Sequence, residues 1–338
     1  MRKVLWLFVP CFYDYQSFAE LQKRAKLIAS KELPHLSLRF VVIDDSGGQD
    51  VELEALTGSP DVQVVTAPYN LGHQGALVFG LRKMSLSIAE EDFVVTLDCD
   101  GEDRPEDIPS LLYPLLEHEH NLHSVCLAQR TKRNESLLFK TLYFFFKLFF
   151  STLTGTVVRN GNFAAYRGWV VKNILFHPFF DYCYSSSLLA LPINRYNIPL
   201  ARGSRYHGTS KMTLVSLVSH GFRMLLPFSE RIAIRSIILS FFLFAAVSCL
   251  AGIYTVLLVS GQNYPLLLVS TAVLVGLTAL IAATSCIFFQ IVNQTKALSL
   301  RELTSPIFVS NQAELRAERE SSNAGTITKA VHRTHQPR

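Results

Sequence analysis

Two apolar runs near the C-terminus restrict this chain more than any other feature. Residues 232–259 carry one charge, Arg235 near the start, and residues 264–292 carry none. Each is longer than the roughly 20 apolar residues needed to cross a bilayer. The linker between them, Ser260-Gly261-Gln262-Asn263, is short and turn-forming, so a two-helix transmembrane hairpin is expected. Arg223, Arg231 and Arg235 precede the pair, Lys296 and Arg301 follow it, and the linker is uncharged. Basic flanks favour the cytoplasmic face, which places both termini and everything before the hairpin on that side of the inner membrane.

The whole chain, 338 residues and 49% hydrophobic with a mean hydropathy of +0.25, is too apolar for a purely soluble protein. The six cysteines have no metal-like spacing and fit reduced thiols of a cytosolic domain. Met1-Arg2-Lys3 leads into an apolar stretch that ends at Pro10 without a small-residue cleavage site, and reads as a first buried strand rather than a leader. Nothing in the pattern points to nucleic acid as a partner.

Ahead of the hairpin, strand-like runs (4–9, 38–43, 62–66, 93–97) alternate with helical ones (17–30, 70–84, 107–119). That alternation predicts an α/β domain with a mostly parallel sheet, whose ligands sit at the carboxyl ends of the strands. The run at 93–97 stops at Asp98-Cys99-Asp100-Gly101-Glu102. Residues i and i+2 of a strand point to the same side, so Asp98 and Asp100 converge, and two carboxylates so close repel unless a cation sits between them. Hard oxygen ligands suit Mg2+ or Mn2+, which complete their shells with substrate phosphates. Glu102 supplies a candidate third oxygen.

Asp44-Asp45-Ser46-Gly47-Gly48 ends another strand, with a carboxylate able to accept from a base or ribose. Asn70-Leu71-Gly72-His73-Gln74-Gly75-Ala76 opens a helix, where free amides favour phosphate. After a strand at 124–128, Arg130 and Arg133 are placed to grip phosphate bidentately. Residues 137–153, rich in Phe and Leu with Lys140 and Lys147 on one face, read as an interfacial helix. Residues 159–163 read as a turn-rich loop, 195–200 as a late strand, and 202–211 as a flexible cationic loop. Residues 212–228 read as a second interfacial helix and 312–338 as a disordered polar tail.

Asp44-Asp45, Asn70-x-Gly72, Asp98-x-Asp100, Arg130-x-x-Arg133 and Arg205-x-x-Gly208-x-Ser210-Lys211, in this order ahead of a membrane hairpin, resemble family 2 glycosyltransferases. The resemblance is to the polyprenyl-phosphate group, such as dolichol-phosphate mannose synthases and undecaprenyl-phosphate glucosyltransferases, over about residues 1–295. It implies a GT-A fold in residues 1–212, a juxtamembrane helix at 213–231, the hairpin at 232–292 and a cytoplasmic tail at 293–338. It further implies inverting transfer of a hexose from a nucleotide-diphosphate sugar, UDP-glucose favoured, to a polyprenyl phosphate. The donor would be held by Pro10, Asp44, Asp45, Asn70, Gly72, Gln74 and Asp98, and the metal by Asp98, Asp100 and Glu102. Arg130, Arg133 and Ser136 would hold the acceptor phosphate, and Asp100, Arg130, Arg133, Arg205 and Lys211 would carry the transfer. Membrane relatives often assemble, so a homo-oligomer is compatible.

Three positions depart from the family pattern. The family's opening Pro-x-Tyr-Asn-Glu reads here Pro10-Cys11-Phe12-Tyr13-Asp14. A position often held by Gln is Glu102. No acid precedes Gly161-Asn162-Phe163. Two other readings stay open at this point: the same fold acting on a lipid hydroxyl or a glycan, and a non-catalytic membrane scaffold subunit.

Overall fold

A computed structural model describes residues 2–56, 58–118, 120–130, 137–207, 214–261 and 264–303. Two compact units divide between Arg235 and Ser236.

The first unit is built on a seven-stranded sheet. Its strands are β1 (Val4–Cys11), β2 (Ser37–Asp44), β3 (Val62–Thr66), β4 (Phe93–Thr96), β5 (Ser124–Arg130), β6 (Asn160–Arg167) and β7 (Asn194–Leu200), in the order β3-β2-β1-β4-β6-β5-β7. All pairings are parallel except those of β6, which runs antiparallel to both β4 and β5. The carboxyl ends of β1, β2, β3, β4, β5 and β7 therefore lie along one edge, and the amino end of β6 joins them there.

Strand alternation explains the two cores. Trp6 and Phe8 of β1 face one side with Val41, Ile43 and Val94, while Leu5, Leu7 and Val9 face the other with Phe40, Val42 and Val95. Among the helices, α1 (Tyr15–Glu32) buries Phe18, Leu21 and Ala25 at helical spacing on the second face. A short α2 (Val51–Glu54) follows β2, and α3 (Gly72–Met84) covers the first face through Ala76, Leu77 and Leu81. The approach there is close, since a Cβ on Gly80 would lie 2.4 Å from Ile43. On the second face α4 (Ile108–Glu117) contributes Ile108, Leu111, Leu112 and Leu115. α5 (Leu137–Thr154) sends Phe150 into the first-face core, beside α6 (Gly168–Asn173) and the fully buried α7 (Tyr184–Ala190). α8 (Leu214–Leu225) passes through a 3-10 turn, Leu226–Phe228, into α9 (Ser229–Val259).

Residues 160–163 of the expected turn-rich loop at 159–163 are instead the start of β6. Its polar residues are satisfied across strands, with Asn160 Nδ2 donating to the Ala128 carbonyl at 3.2 Å and to Asn197 at 3.1 Å. The pairing with β5 is irregular between Leu127 and Gln129. Polar spacing of this kind hides a strand whose partners lie far away in the chain.

Facing away from the core, α5 exposes Phe144, Phe145, Leu148 and Phe149, and α8 exposes Val215, Val218 and Phe222. The two helices meet where Gly221 lies against Phe146. Lys140 has its side chain outside the described residues.

The second unit takes in the rest of α9 and α10 (Pro265–Leu303). Val215–Val259 and Pro265–Gln290 are long and apolar enough to cross a membrane; their most apolar 18-residue stretches have mean hydropathies of 2.4 and 2.5 and are largely exposed. These two C-terminal helices are consistent with the expected hairpin. Residues 304–338, including the tail expected to be disordered, lie outside the described residues.

Candidate active site

The acid loop at the end of β4 is closed by its own side chains. The Asp98 amide donates to Asp103 Oδ2 at 3.1 Å and the Glu102 amide to Asp100 Oδ1 at 2.9 Å. Gly101 supplies the turn with a φ of +91°, a left-handed conformation that costs an L side chain roughly 1–2 kcal/mol. Asp98 Oδ1 receives His73 Nε2 at 2.8 Å from the start of α3 and Asn162 Nδ2 at 3.5 Å from β6.

The segment 201–207, after β7, lies against this loop. Its backbone is stitched to the loop by Gly203 N to Glu102 O at 2.9 Å and Tyr206 N to Asp100 O at 2.8 Å. Its guanidiniums cover the acids: Arg205 Nη2 lies 2.8 Å from Asp100 Oδ2, Arg205 Nε lies 3.2 Å from Glu102 Oε1, and Arg202 bonds Glu102. Arg130, the last residue of β5, reaches Asp103 Oδ1 at 3.7 Å. Gly161 leaves room for it, since a Cβ there would come within 2.9 Å of the guanidinium.

These surroundings separate the acids electrostatically. Burial opposes ionisation of Asp98, but the His73 charge, its hydrogen bond and the Arg130 charge outweigh it and hold Asp98 well below the usual carboxylate range. Burial, then the neighbouring Asp98 charge, pushes Asp100 up to about 6. The same two causes push Asp103 up against the pull of Arg130. His73 is raised: burial works against its charge and Asp98 more than restores it. For Arg130, burial is likewise outweighed, by Asp103 and then Asp98.

The donor set suits a hard divalent cation in part. Asp100 is raised first by burial and then by the Asp98 charge, and a cation between the two acids would relieve that repulsion. Glu102, expected as a third ligand, faces Arg202 and Arg205 instead. Among the described residues, no three His, Cys, Asp or Glu side chains gather as a metal centre.

At the β2 end, Asp44 accepts from the Ser46 and Gly48 amides at 2.9 and 3.1 Å. Asp45 Oδ1 accepts from the Leu71 amide at 2.7 Å, tying this loop to the entrance of α3. Burial raises Asp45, and the Leu71 and Gly72 amides oppose that rise. Asn70 Oδ1 accepts from the Gly72 amide at 2.9 Å, and Pro10, next to the last residue of β1, lies opposite Ile43. Gln74, expected on the donor, accepts from the Ser185 amide at 3.0 Å and donates to Asn162. The fold thus brings Asp98, Asp100, Glu102, Arg130 and Arg205 together at one edge, with Asp45, Asn70, Gly72 and Gln74 beside them. Arg133, Ser136 and Lys211 lie outside the described residues.

Sequence reasoning missed His73, Asn162, Asp103 and Arg202. His73 carried a signal, an imidazole in the first turn of a glycine-opened helix. Asn162 carried none, because its partners come from distant strands.

The family model "Glycosyl transferase family 2" matches residues 7–175, from β1 through α6. An undecaprenyl-phosphate 4-deoxy-4-formamido-L-arabinose transferase of Yersinia pestis (strain Pestoides F) is 25% identical over 232 residues, or 64% of this chain; a Yersinia pseudotuberculosis serotype O:3 (strain YPIII) protein of the same description matches equally. The chain spans about 65% of the length of these curated relatives. Among solved structures, glucosyl-3-phosphoglycerate synthase from Mycobacterium tuberculosis, crystallised with Mn2+, UDP and phosphoglyceric acid, is similar with a TM-score of 0.45. The identity is 17%, covering 68% of this chain and 78% of that one. Mannosyl-3-phosphoglycerate synthase from Rubrobacter xylanophilus gives a TM-score of 0.45 at 12% identity, covering 68% and 74%. With the family model spanning half the chain and both strand-end acid loops inside it, the chain belongs to glycosyl transferase family 2.

Proposed function

We propose that this protein transfers a hexose, with inversion, from a nucleotide-diphosphate sugar to a polyprenyl phosphate at the cytoplasmic leaflet. The observation that carries the reading is the acid loop at the end of β4, where Arg205 pairs with Asp100 and Arg130 with Asp103 at one sheet edge, beside Asp98. The chain around them has long apolar C-terminal helices and exposed apolar faces on α5 and α8.

Transfer onto a phosphate monoester needs no general base, because its second pKa near 6 leaves it largely dianionic at neutral pH. The protein must instead bring two anions together. Asp98 and Asp100 would hold a Mg2+ or Mn2+, with Glu102 available once its arginines move, and such an ion would supply Lewis-acid stabilisation of the leaving diphosphate. Asp45, Asn70 and Gly72 position the nucleotide beside the start of α3, with Pro10 and Asp44 framing the same loops. Arg130, with Arg133 and Ser136 following it in the chain, holds the acceptor phosphate. Arg205 and Lys211, on the segment after β7, neutralise charge as the sugar moves. Attack in line with the leaving group inverts the anomeric carbon. The acceptor of the Yersinia relatives supports undecaprenyl phosphate here; UDP-glucose is the favoured donor on family resemblance. The exposed phenylalanines of α5 and α8 suit burial at headgroup depth, where a lipid phosphate lies.

The test is to incubate membranes containing the protein with radiolabelled nucleotide sugars and undecaprenyl phosphate. Label should pass into organic solvent with one donor, and Asp98→Ala and Asp100→Ala should each leave less than about a tenth of it. Transfer to an added glycan or a lipid hydroxyl instead would reassign the acceptor. Donor turnover absent under every condition would favour a scaffold.

A further inference from the structure

Asp98 is held at the end of a one-way chain of hydrogen bonds. The Ser185 backbone amide, at the start of α7, donates to Gln74 Oε1 at 3.0 Å, and Cys183 Sγ reaches the same oxygen at 3.4 Å. A backbone N–H cannot reverse its role, so the Gln74 amide has only one compatible orientation, with Nε2 turned to Asn162. Gln74 Nε2 donates to Asn162 Oδ1. That fixes the second amide as well, leaving Asn162 Nδ2 to face Asp98 Oδ1 at 3.5 Å. From the other side, His73 Nε2 meets the same oxygen at 2.8 Å. Flipping either amide would oppose N–H to N–H or oxygen to carboxylate inside a part-buried network, at a desolvation penalty the fold does not recover.

The supports of this chain are rigid. Asn162 is held through its backbone carbonyl, which accepts from Thr96 Oγ1 at 2.6 Å; Thr96 Oγ1 lies 2.9 Å from the Tyr184 hydroxyl, which donates to Tyr166 at 3.0 Å. β4, β6, α3 and α7 are thus locked together beneath one carboxylate oxygen.

We propose that Gln74 and Asn162 are positioning residues that fix which oxygen of Asp98 faces the donor site: with both donors on Oδ1, Oδ2 is the oxygen presented to a divalent cation. The inference rests on the metal reading of Asp98 given above and assigns Gln74 a task other than direct contact with the donor. Asn162 reaches Asp98 only because β6 runs antiparallel beside β4.

The test uses the full-length protein in detergent, stripped of metal, with Mn2+ binding followed by loss of the free-ion paramagnetic resonance signal and melting followed in parallel. Gln74→Glu keeps the acceptor for Ser185 but loses the donor to Asn162. Asn162→Leu keeps the volume and loses both polar ends. Each should weaken Mn2+ binding about tenfold, with the metal-free protein melting cooperatively within about 6 °C of the parent, the scale of one mispaired part-buried amide. Parental Mn2+ affinity in both variants overturns the relay alone, as does weakened binding accompanied in both by a large fall in melting temperature. Absence of Mn2+ binding in the parent overturns the metal reading, and the relay with it.

Discussion

Arg205 Nη2 stands 2.8 Å from Asp100 Oδ2, with Nε of the same guanidinium 3.2 Å from Glu102 Oε1. On the metal reading proposed above, a cation held by Asp98 and Asp100 would compete with Arg205 for Asp100. Arg205 is the counter-ion of Asp100 and Glu102; on the proposed reading, a bound cation would displace it and the same charge would be available to the departing phosphates.

That exchange separates binding from turnover. Arg205→Gln removes the competing cation, so Mn2+ should bind the donor-free protein about three- to tenfold more tightly, the worth of a part-exposed pair near ~1 kcal/mol. Transfer should fall about a hundredfold, the scale of losing one electrostatic donor. Mn2+ titration and initial rates check both, and weaker Mn2+ binding would reject the exchange.

Acid pH should stabilise the metal-free protein. Asp100, pushed up to about 6 by burial and the Asp98 charge, and Asp103, raised by the same causes, carry folded pKa values above their unfolded ones. Their stabilising contribution is complete below the unfolded value near 4 and is lost as pH rises through the folded values. His73, also raised, acts in the same direction at higher pH. Asp98 is depressed, so its contribution is present above about 4 and constant across this window. The melting temperature of chelator-treated protein should therefore be lower at pH 7.5 than at pH 5.5, by roughly 2–4 °C per kcal/mol of linkage. Added Mn2+ should narrow the difference by raising the value at pH 7.5. A higher melting point at pH 7.5 without metal would contradict the assignment.

Gly101→Ala should damage the site while sparing the fold. The residue has a φ of +91°, and an added Cβ would lie 2.7 Å from the Tyr206 ring. Strain of roughly 1–2 kcal/mol and displacement of Tyr206 should loosen the backbone bonds between 201–207 and the acid loop. Transfer should fall more than about tenfold, with a melting shift of only a few degrees. Rates, circular dichroism and melting curves give the comparison; parental activity would mean that the apposition of the two loops is dispensable.

Arg167→Met should do the reverse. Arg167 is fully buried, donates to the Glu91 and Leu115 carbonyls at 2.9 Å each and stacks 3.8 Å over the Phe93 ring. Losing it strands buried carbonyls far from the site, at about 3–5 kcal/mol. Unfolding by heat should come at least about 6 °C earlier, with the donor KM of the remaining folded enzyme unchanged. A raised KM with normal stability would place Arg167 in the site's machinery instead.

Much of the fold was legible because it is written in consecutive residues. The apolar runs at 232–259 and 264–292, the β-branched strand ending at Asp98, and the glycine-opened helix at Gly72 each declare themselves through local periodicity or a local break in it. β6 did not, because Asn160-Gly161-Asn162 satisfies its polar groups across strands rather than within its own segment. The site divided the same way. Asp98 and Asp100 were visible as a pair, and Arg130 and Arg205 as cations for the same site, while His73 and Asn162, the partners of Asp98, were not.

By itself the sequence determined that this chain has an α/β unit with acids at its strand ends, followed by two helices long and apolar enough to span a membrane. Strand and helix signals depend on neighbours within a turn or two, and those neighbours are adjacent in the chain. Only the tertiary structure decided that β6 inserts antiparallel between β4 and β5, that Asn162 and His73 share one oxygen of Asp98, and that Arg205 rests on Asp100. Those contacts follow from strand order and from which loops share an edge. They are set by the balance of burial and pairing over the whole sheet, a global quantity that no short stretch of residues contains.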